Sequence, residues 1–237
     1  MASSRQSPFS ANRILGALPS TELERLSADF EPITFRHPQL LQESGEQIEY
    51  VYFPLEGMLS VLTVLEDGEA IEAATVGFEG MAGVQTFLGA ALSTSRLVTQ
   101  ANGHGLRMKA DSFRYHLSYC EALRLVLGRY VDVLFTLFAQ SAACNRLHPI
   151  EQRCARWLLM THDRVVSDEF GLTQEFLSQM LGVRRASVSA SAAGLQGAGL
   201  ITYRHGRIRI VDRAGLEAAS CECYGVIRQR FDQMLAG

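Results

Sequence analysis

Lysine is almost missing from this 237-residue sequence: Lys109 stands alone among 22 basic residues, and the other 21 are arginine. Arginine makes forked contacts to phosphate and guanine. GC-rich codon usage also produces such a bias, so placement matters more than share. Cysteine is scarce and odd in number. Cys120, Cys144, Cys154, Cys221 and Cys223 contain no C-x-x-C pair, which excludes a disulfide framework and points to reduced thiols in a cytoplasmic protein. Proline and glycine are too sparse for a fibrous chain, and 47% hydrophobic against 20% charged residues is ordinary globular composition. No stretch suits a membrane, because the most apolar one, 125–144, is interrupted by Arg129 and Asp132, and a span needs about 20 nearly uncharged residues. Met1 to Ser10 is Ser-rich without an apolar core, so 1–10 is expected to be a disordered tail and not a secretory signal.

An overall positive charge is also lacking. The net value is −3, but the two parts of the chain differ. Residues 1–149 hold 11 basic and 16 acidic residues, whereas 150–237 hold 11 and 9. Between 184 and 213 there are six arginines and one acid, Asp212. An acidic front and a basic stretch behind it suggest two tasks.

Residues 11–110 carry short β-rich runs separated by turns, among them Tyr50–Phe53, Leu59–Val64 and Ala70–Ala74. Asp67-Gly68 is a tight-hairpin signal between the last two. An antiparallel β-roll of jelly-roll type is expected. Residues 111–147 read as one long helix. Leu123, Leu127, Tyr130, Leu134, Leu137, Ser141 and Cys144 alternate by four and three, a heptad seam expected to dimerise the chain. His148-Pro149 ends the helix and marks a domain boundary, with Trp157 in the next helix read as core.

In 148–237, Thr173 is placed to cap a short helix containing Phe176, Leu177, Met180 and Leu181. Gly182-Val183 breaks it, and a second helix follows from Arg184 to Gln196, with Ser187, Ser189 and Ser191 on its exposed face. Strands 200–203 and 207–211 flank an Arg204-His205-Gly206 turn. Helix, glycine turn, helix and hairpin make a winged helix-turn-helix, whose second helix enters the major groove. Arg184 and Arg185 sit at the N-terminus of that helix, where free N–H groups attract phosphate. The DNA-contacting set is Thr173, Arg184, Arg185, Ser187, Ser189, Arg204 and Arg207.

Over about residues 12–235 the chain resembles the CRP/FNR superfamily of bacterial transcription regulators. The likeness rests on Val51-Tyr52-Phe53-Pro54-Leu55-Glu56-Gly57, Glu66-Asp67-Gly68-Glu69, Leu172 through Ile201, and Asn145-Arg146-Leu147-His148 followed by Glu151-Gln152-Arg153. The resemblance implies an α+β architecture: a cyclic-nucleotide-binding-like roll, a dimerisation helix and a winged helix-turn-helix. It implies a non-enzymatic homodimer on two-fold double-stranded DNA, with RNA polymerase and a small-molecule effector as further partners. Two departures stand out. The recognition helix has Ala186 and Ala190 where well-known members carry a glutamate and a second arginine. The sensor reads Gly80-Met81 and Thr94-Ser95-Arg96 where cyclic-nucleotide binders carry a Gly-Glu pair and an Arg-Ser/Thr-Ala triplet. Tight cyclic AMP binding is therefore not expected, and the effector is left unidentified. Any effector pocket is assigned to Glu79, Gly80, Met81, Ser95 and Arg96.

No cofactor is expected. An N-terminal iron–sulfur cluster needs cysteines ahead of Cys120, and His37, His104, His116, His148, His162 and His205 show no ligand spacing. Cys144, Cys221 and Cys223 are read as inert, and no residue is assigned to a metal. A cupin-like enzyme would need more histidine inside the roll than His37 and His104. The remaining alternative is an effector-binding interaction module with weakened DNA reading, which Ala186 and Ala190 motivate.

Overall fold

The computed structural model describes residues 8–165 and 167–235. Of the expected tail, residues 1–7 lie outside the described residues. Pro8–Ala11 form a 3-10 turn, and the Phe9 ring packs 5.6 Å from Phe30. Two short helices follow, α1 (Arg13–Gly16) and α2 (Ser20–Ser27). The Asn12 side chain caps α1 through the Ile14 and Leu15 N–H groups, and its amide donates to Pro54 and Gly80 carbonyls. One buried asparagine thus ties the start of the chain to the roll.

The roll is a five-stranded antiparallel sheet of β1 (Glu31–Phe35), β2 (Gln39–Gln42), β3 (Tyr50–Val64), β4 (Ala70–Val76) and β5 (Arg96–Lys109), ordered β1-β5-β3-β4 with β2 also on β5. The Asp67-Gly68 hairpin joins β3 to β4, with Gly68 at φ +87° and Leu65 N–H donating to Glu69 O. β3 is pleated through bulges near Gly57, which also has positive φ. A Cβ on Gly57 or on the facing Gly103 would strike the opposing backbone, so the long strands close on each other only through glycine.

The expected single helix is two. α3 (Ala110–Tyr119) and α4 (Glu121–Leu147) meet at Cys120, which is fully buried with extended backbone. The apolar pattern runs across this joint without glycine or proline, so periodicity gives no sign of it. α4 spans about 40 Å at 1.5 Å per residue. Its seam residues Leu123, Leu127, Tyr130, Leu134, Leu137 and Ser141 are all buried within the single chain. They join the main core, and the Tyr130 hydroxyl donates to Met81 O at 3.0 Å. The stripe expected between two chains therefore serves this chain's own core. The apolar side chains that α4 leaves exposed are Leu125, Phe135, Phe138 and Leu147.

His148 is extended and Pro149 precedes α5 (Ile150–His162), so the long helix ends where the proline predicts. Beyond it come β6 (Glu169–Gly171), α6 (Gln174–Leu181), α7 (Arg185–Gly197), β7 (Ile201–Arg204), β8 (Arg207–Ile210), α8 (Arg213–Ala219) and α9 (Cys223–Gln233). The wing is a three-stranded sheet, β6-β8-β7. α9 folds back along α4, where Arg230 pairs with Asp132 at 2.7 Å and Asp232 with Arg13 at 3.0 Å.

The two halves share one core and one buried ion pair. Arg164 Nε and Nη2 lie 2.9 and 2.7 Å from Glu79 Oε1, and both side chains are nearly solvent-free. Burial alone would lower the Arg164 pKa, and the Glu79 carboxylate reverses that. Removing one charge of a buried pair leaves the other unpaired, at a cost of about 3–5 kcal/mol. Glu79→Gln is expected to lower stability by about that amount, read as a lower urea midpoint at fixed protein concentration.

Candidate nucleic-acid interface, sensor cavity and thiol cluster

Thr173 caps α6 as expected, its Oγ1 accepting from Phe176 N–H at 3.1 Å. Gly182, at φ +61°, makes the turn, and Arg184 occupies the N-cap of α7. Val188, Ala192 and Leu195 are buried and fix this helix against α5 and α6. Arg184, Arg185, Ala186 and Ala190 are exposed, whereas Ser187 and Ser189 are half-buried. Ser189 donates to Gln174 Oε1 at 2.7 Å and Arg185 O at 3.1 Å, so its hydroxyl is already engaged. Ser191, expected on the exposed face, is buried. Gln174 was not a sequence candidate. Its position at the first turn of α6 carries no signal until the two helices are docked.

The wing differs in its charges. Arg207 and Arg209 both pair with Glu169 on β6, at 2.5 and 2.7 Å. Their hydrogen bonds, Arg209 first, hold the Glu169 carboxyl below its usual range. Arg184, Arg185 and Arg204 make no ion pair among the described residues, so the uncompensated cations lie at the start of α7 and the end of β7. The short strand β6 was not read from the sequence because Glu169-Phe170-Gly171 is too brief to show a period.

The expected effector residues do not converge. Glu79 is turned to Arg164, and Gly80 lies against the Tyr130 ring, where any Cβ would collide. Arg96 is held by Glu43, its Nε 2.9 and 3.0 Å from the two carboxylate oxygens. Met81 and Ser95 do line a cavity of about 60 Å³ inside the roll, together with Tyr52, Leu97, Tyr130 and Phe138. No charged side chain lines it, so the cavity offers no cation to a phosphate.

The expectation of no cofactor does not stand. Cys144, His148, Cys221 and Cys223 come together with all four donor atoms within 4.8 Å of one another. Cys144 Sγ lies 3.5 Å from Cys221 Sγ, and Cys223 Sγ lies 3.4 Å from His148 Nδ1. The three cysteines form their own small buried cluster. Sequence spacing hid this set, because 73 residues separate His148 from Cys221.

Known proteins bear out the architecture. Residues 152–219 match the family model of the Crp-like helix-turn-helix domain. That region is therefore similar to the Crp-like helix-turn-helix. No curated protein matches the sequence. Among solved structures, FixK2 from Bradyrhizobium japonicum aligns with TM-score 0.68 and 16% identity over 81% of this chain and 98% of its own. A putative CRP/FNR-family regulator from Eubacterium rectale aligns at 0.69 and 13% identity, over 89% of this chain and 98% of its own. The c-di-GMP-responsive regulator CLP from Xanthomonas campestris aligns at 0.63 and 14% identity, over 81% and 99%. The chain therefore has the CRP/FNR regulator fold, in agreement with the resemblance in its motifs. Among the described residues no helix is long and apolar enough to cross a membrane.

This Crp-like domain docks on the roll of the same chain. Phe176 meets His37 edge-on at 5.0 Å, and Gly182 abuts Ile71. Trp157 Nε1 donates to Glu72 at 2.9 Å, and Ser60 Oγ to the same carboxyl at 2.6 Å. Burial pushes the Glu72 pKa up to about 7, against those two hydrogen bonds and the charges of Arg156 and Arg164. A carboxyl whose folded pKa is raised contributes stability below its unfolded pKa and loses it as pH rises through the folded value. Docked stability is thus expected to fall between about pH 5 and pH 7.5. Glu72→Gln should flatten that part of the profile of urea midpoint against pH.

Proposed function

We propose that the protein is a transcription regulator that binds a two-fold operator as a homodimer in the cytoplasm and is controlled by a small effector at the roll. The observation that carries this reading is the pair Arg184 and Arg185, exposed and without ion pairs at the N-terminus of α7. A guanidinium there can read guanine O6 and N7, and the free N–H groups of the first turn favour phosphate. Ala186 and Ala190 offer no hydrogen bond to a base edge, so sequence reading rests on few side chains. Thr173, Ser187 and Arg204 serve as lesser contacts. Arg207 reaches phosphate only by sharing or leaving Glu169.

Dimerisation is assigned to the exposed face of α4. Leu125, Phe135 and Phe138 are apolar side chains open to solvent, and Gly128 has no neighbour beside it. Two such helices packed side by side bury these rings and place two α7 helices for half-sites about 34 Å apart. The uncharged roll cavity supports an apolar effector over a nucleotide, and Tyr130 and Phe138 link it directly to α4. RNA polymerase contact completes the regulator reading.

Selection of random duplex DNA by the purified protein tests this reading, with an enriched two-fold sequence as the expected result. Arg184→Ala/Arg185→Ala should weaken binding to that sequence by about 1–3 kcal/mol for each lost base contact. Each lost phosphate contact should reduce the salt slope by about 0.9. Unchanged affinity and slope would favour an interaction module with weakened DNA reading. Phe135→Asp is expected to convert a dimer to a monomer in sedimentation while leaving the far-UV spectrum unchanged.

A further inference from the structure

We propose that Cys144, His148, Cys221 and Cys223 form a tetrahedral Cys3His site for zinc that fastens the end of the long helix to the C-terminal helix. The four donors come from two separate segments. Cys144 and His148 lie four residues apart at the end of α4, Cys221 lies between α8 and α9, and Cys223 opens α9. A tetrahedral zinc site with metal–sulfur bonds of about 2.3 Å separates its sulfurs by about 3.8 Å. The 3.5 Å between Cys144 and Cys221 and the 3.4 Å between Cys223 and His148 differ from such spacings by a few tenths of an ångström.

The surroundings are those of a ligand set. His148 turns Nδ1 to the sulfurs, while its Nε2 lies 3.2 Å from Glu222 Oε1. A carboxylate behind a ligating imidazole fixes its tautomer and raises its basicity. The Gln140 amide donates to Cys223 Sγ at 3.1 Å, an outer hydrogen bond of the kind that supports a thiolate. All three cysteines are buried, so solvent does not compete for them.

Charge provides a second, independent argument. Arg153 and Arg156 are buried beside the cluster, and the Nε of each has no hydrogen-bond partner. Among the described residues Arg156 makes one hydrogen bond, to Met160 Sδ at 3.7 Å, and Arg153 gives its Nη2 to Asn145 Oδ1 and the Leu181 carbonyl. With three neutral thiols, these guanidiniums face sulfur that carries no charge. Binding one divalent cation releases three thiol protons to solvent and forms three metal–thiolate bonds and one metal–imidazole bond. The site then carries one net negative charge, opposite two buried cations. Four protein ligands leave no open position, which makes the site structural and not catalytic.

The full-length protein, purified without a metal-affinity tag, should carry about one zinc per chain by elemental mass spectrometry. Stripped under reducing conditions and titrated with cobalt(II), it should develop the intense d–d bands of a tetrahedral site and a thiolate-to-cobalt charge-transfer band. Cys144→Ser and Cys223→Ser should abolish both, whereas Cys120→Ala should keep them. Glu222→Gln retains all four ligands and should weaken metal affinity about 10- to 100-fold, so it reports on the site even if a ligand variant fails to fold. A folded, reduced wild type that gives no cobalt spectrum would overturn the proposal. So would peptide mapping that finds a Cys144–Cys221 disulfide in metal-free native protein.

Discussion

A buried guanidinium is costly when it has no anion, and Arg164 has one because Glu79 arrives from the other half of the chain. That constraint organises the molecule. Arg164 follows α5, the first helix of the DNA-binding half, and Glu79 follows β4 of the roll. Separating the halves would strand both charges. Trp157 on Glu72 and Phe176 on His37 add further contacts across the same junction. The roll and the helix-turn-helix are therefore held against each other at the end of α5.

The roll, the hairpin at Asp67-Gly68, the Thr173 cap and the Gly182 turn were legible in the sequence because each rests on local chemistry. A positive φ or a capping hydroxyl leaves its residue type in place. The joint at Cys120 was not legible, since its cause is the packing of α3 on the roll and α4 on the core, and the apolar period continues through it. The stripe from Leu123 to Ser141 was recognised as apolar, but a pattern shows which side of a helix is buried and not what buries it. α9 covers part of that stripe, and nothing in its own sequence announces the partner. Glu79 and Arg96 were assigned to an effector pocket, and their partners, Arg164 and Glu43, became visible only in three dimensions. The Cys144–His148–Cys221–Cys223 set escaped for the same reason: two short spacings, neither distinctive, are joined by the return of the chain.

The DNA-binding half is economical with charge. Of the arginines clustered between 184 and 213, Arg207, Arg209 and Arg213 are engaged by carboxylates within the domain. This leaves the free cations at the start of α7 and at Arg204. Concentrating unpaired charge at a helix N-terminus aligns it with the helix dipole.

The return of the last helix across the molecule has a consequence for synthesis. Asp232 meets Arg13 across almost the whole length of the chain, and Phe231 and Met234 belong to the same core as Ile14 and Leu15. While the polypeptide is still emerging from the ribosome, the apolar side of α4 and the surface beside α1 have no cover. Domains usually mature in order from the N-terminus. Here the surface beside α1 waits for α9, so the nascent chain keeps an adhesive flank until residues 223–234 have been made. A C-terminal deletion too small to touch the helix-turn-helix would leave that flank open for good, and its cost would appear as poor yield and aggregation.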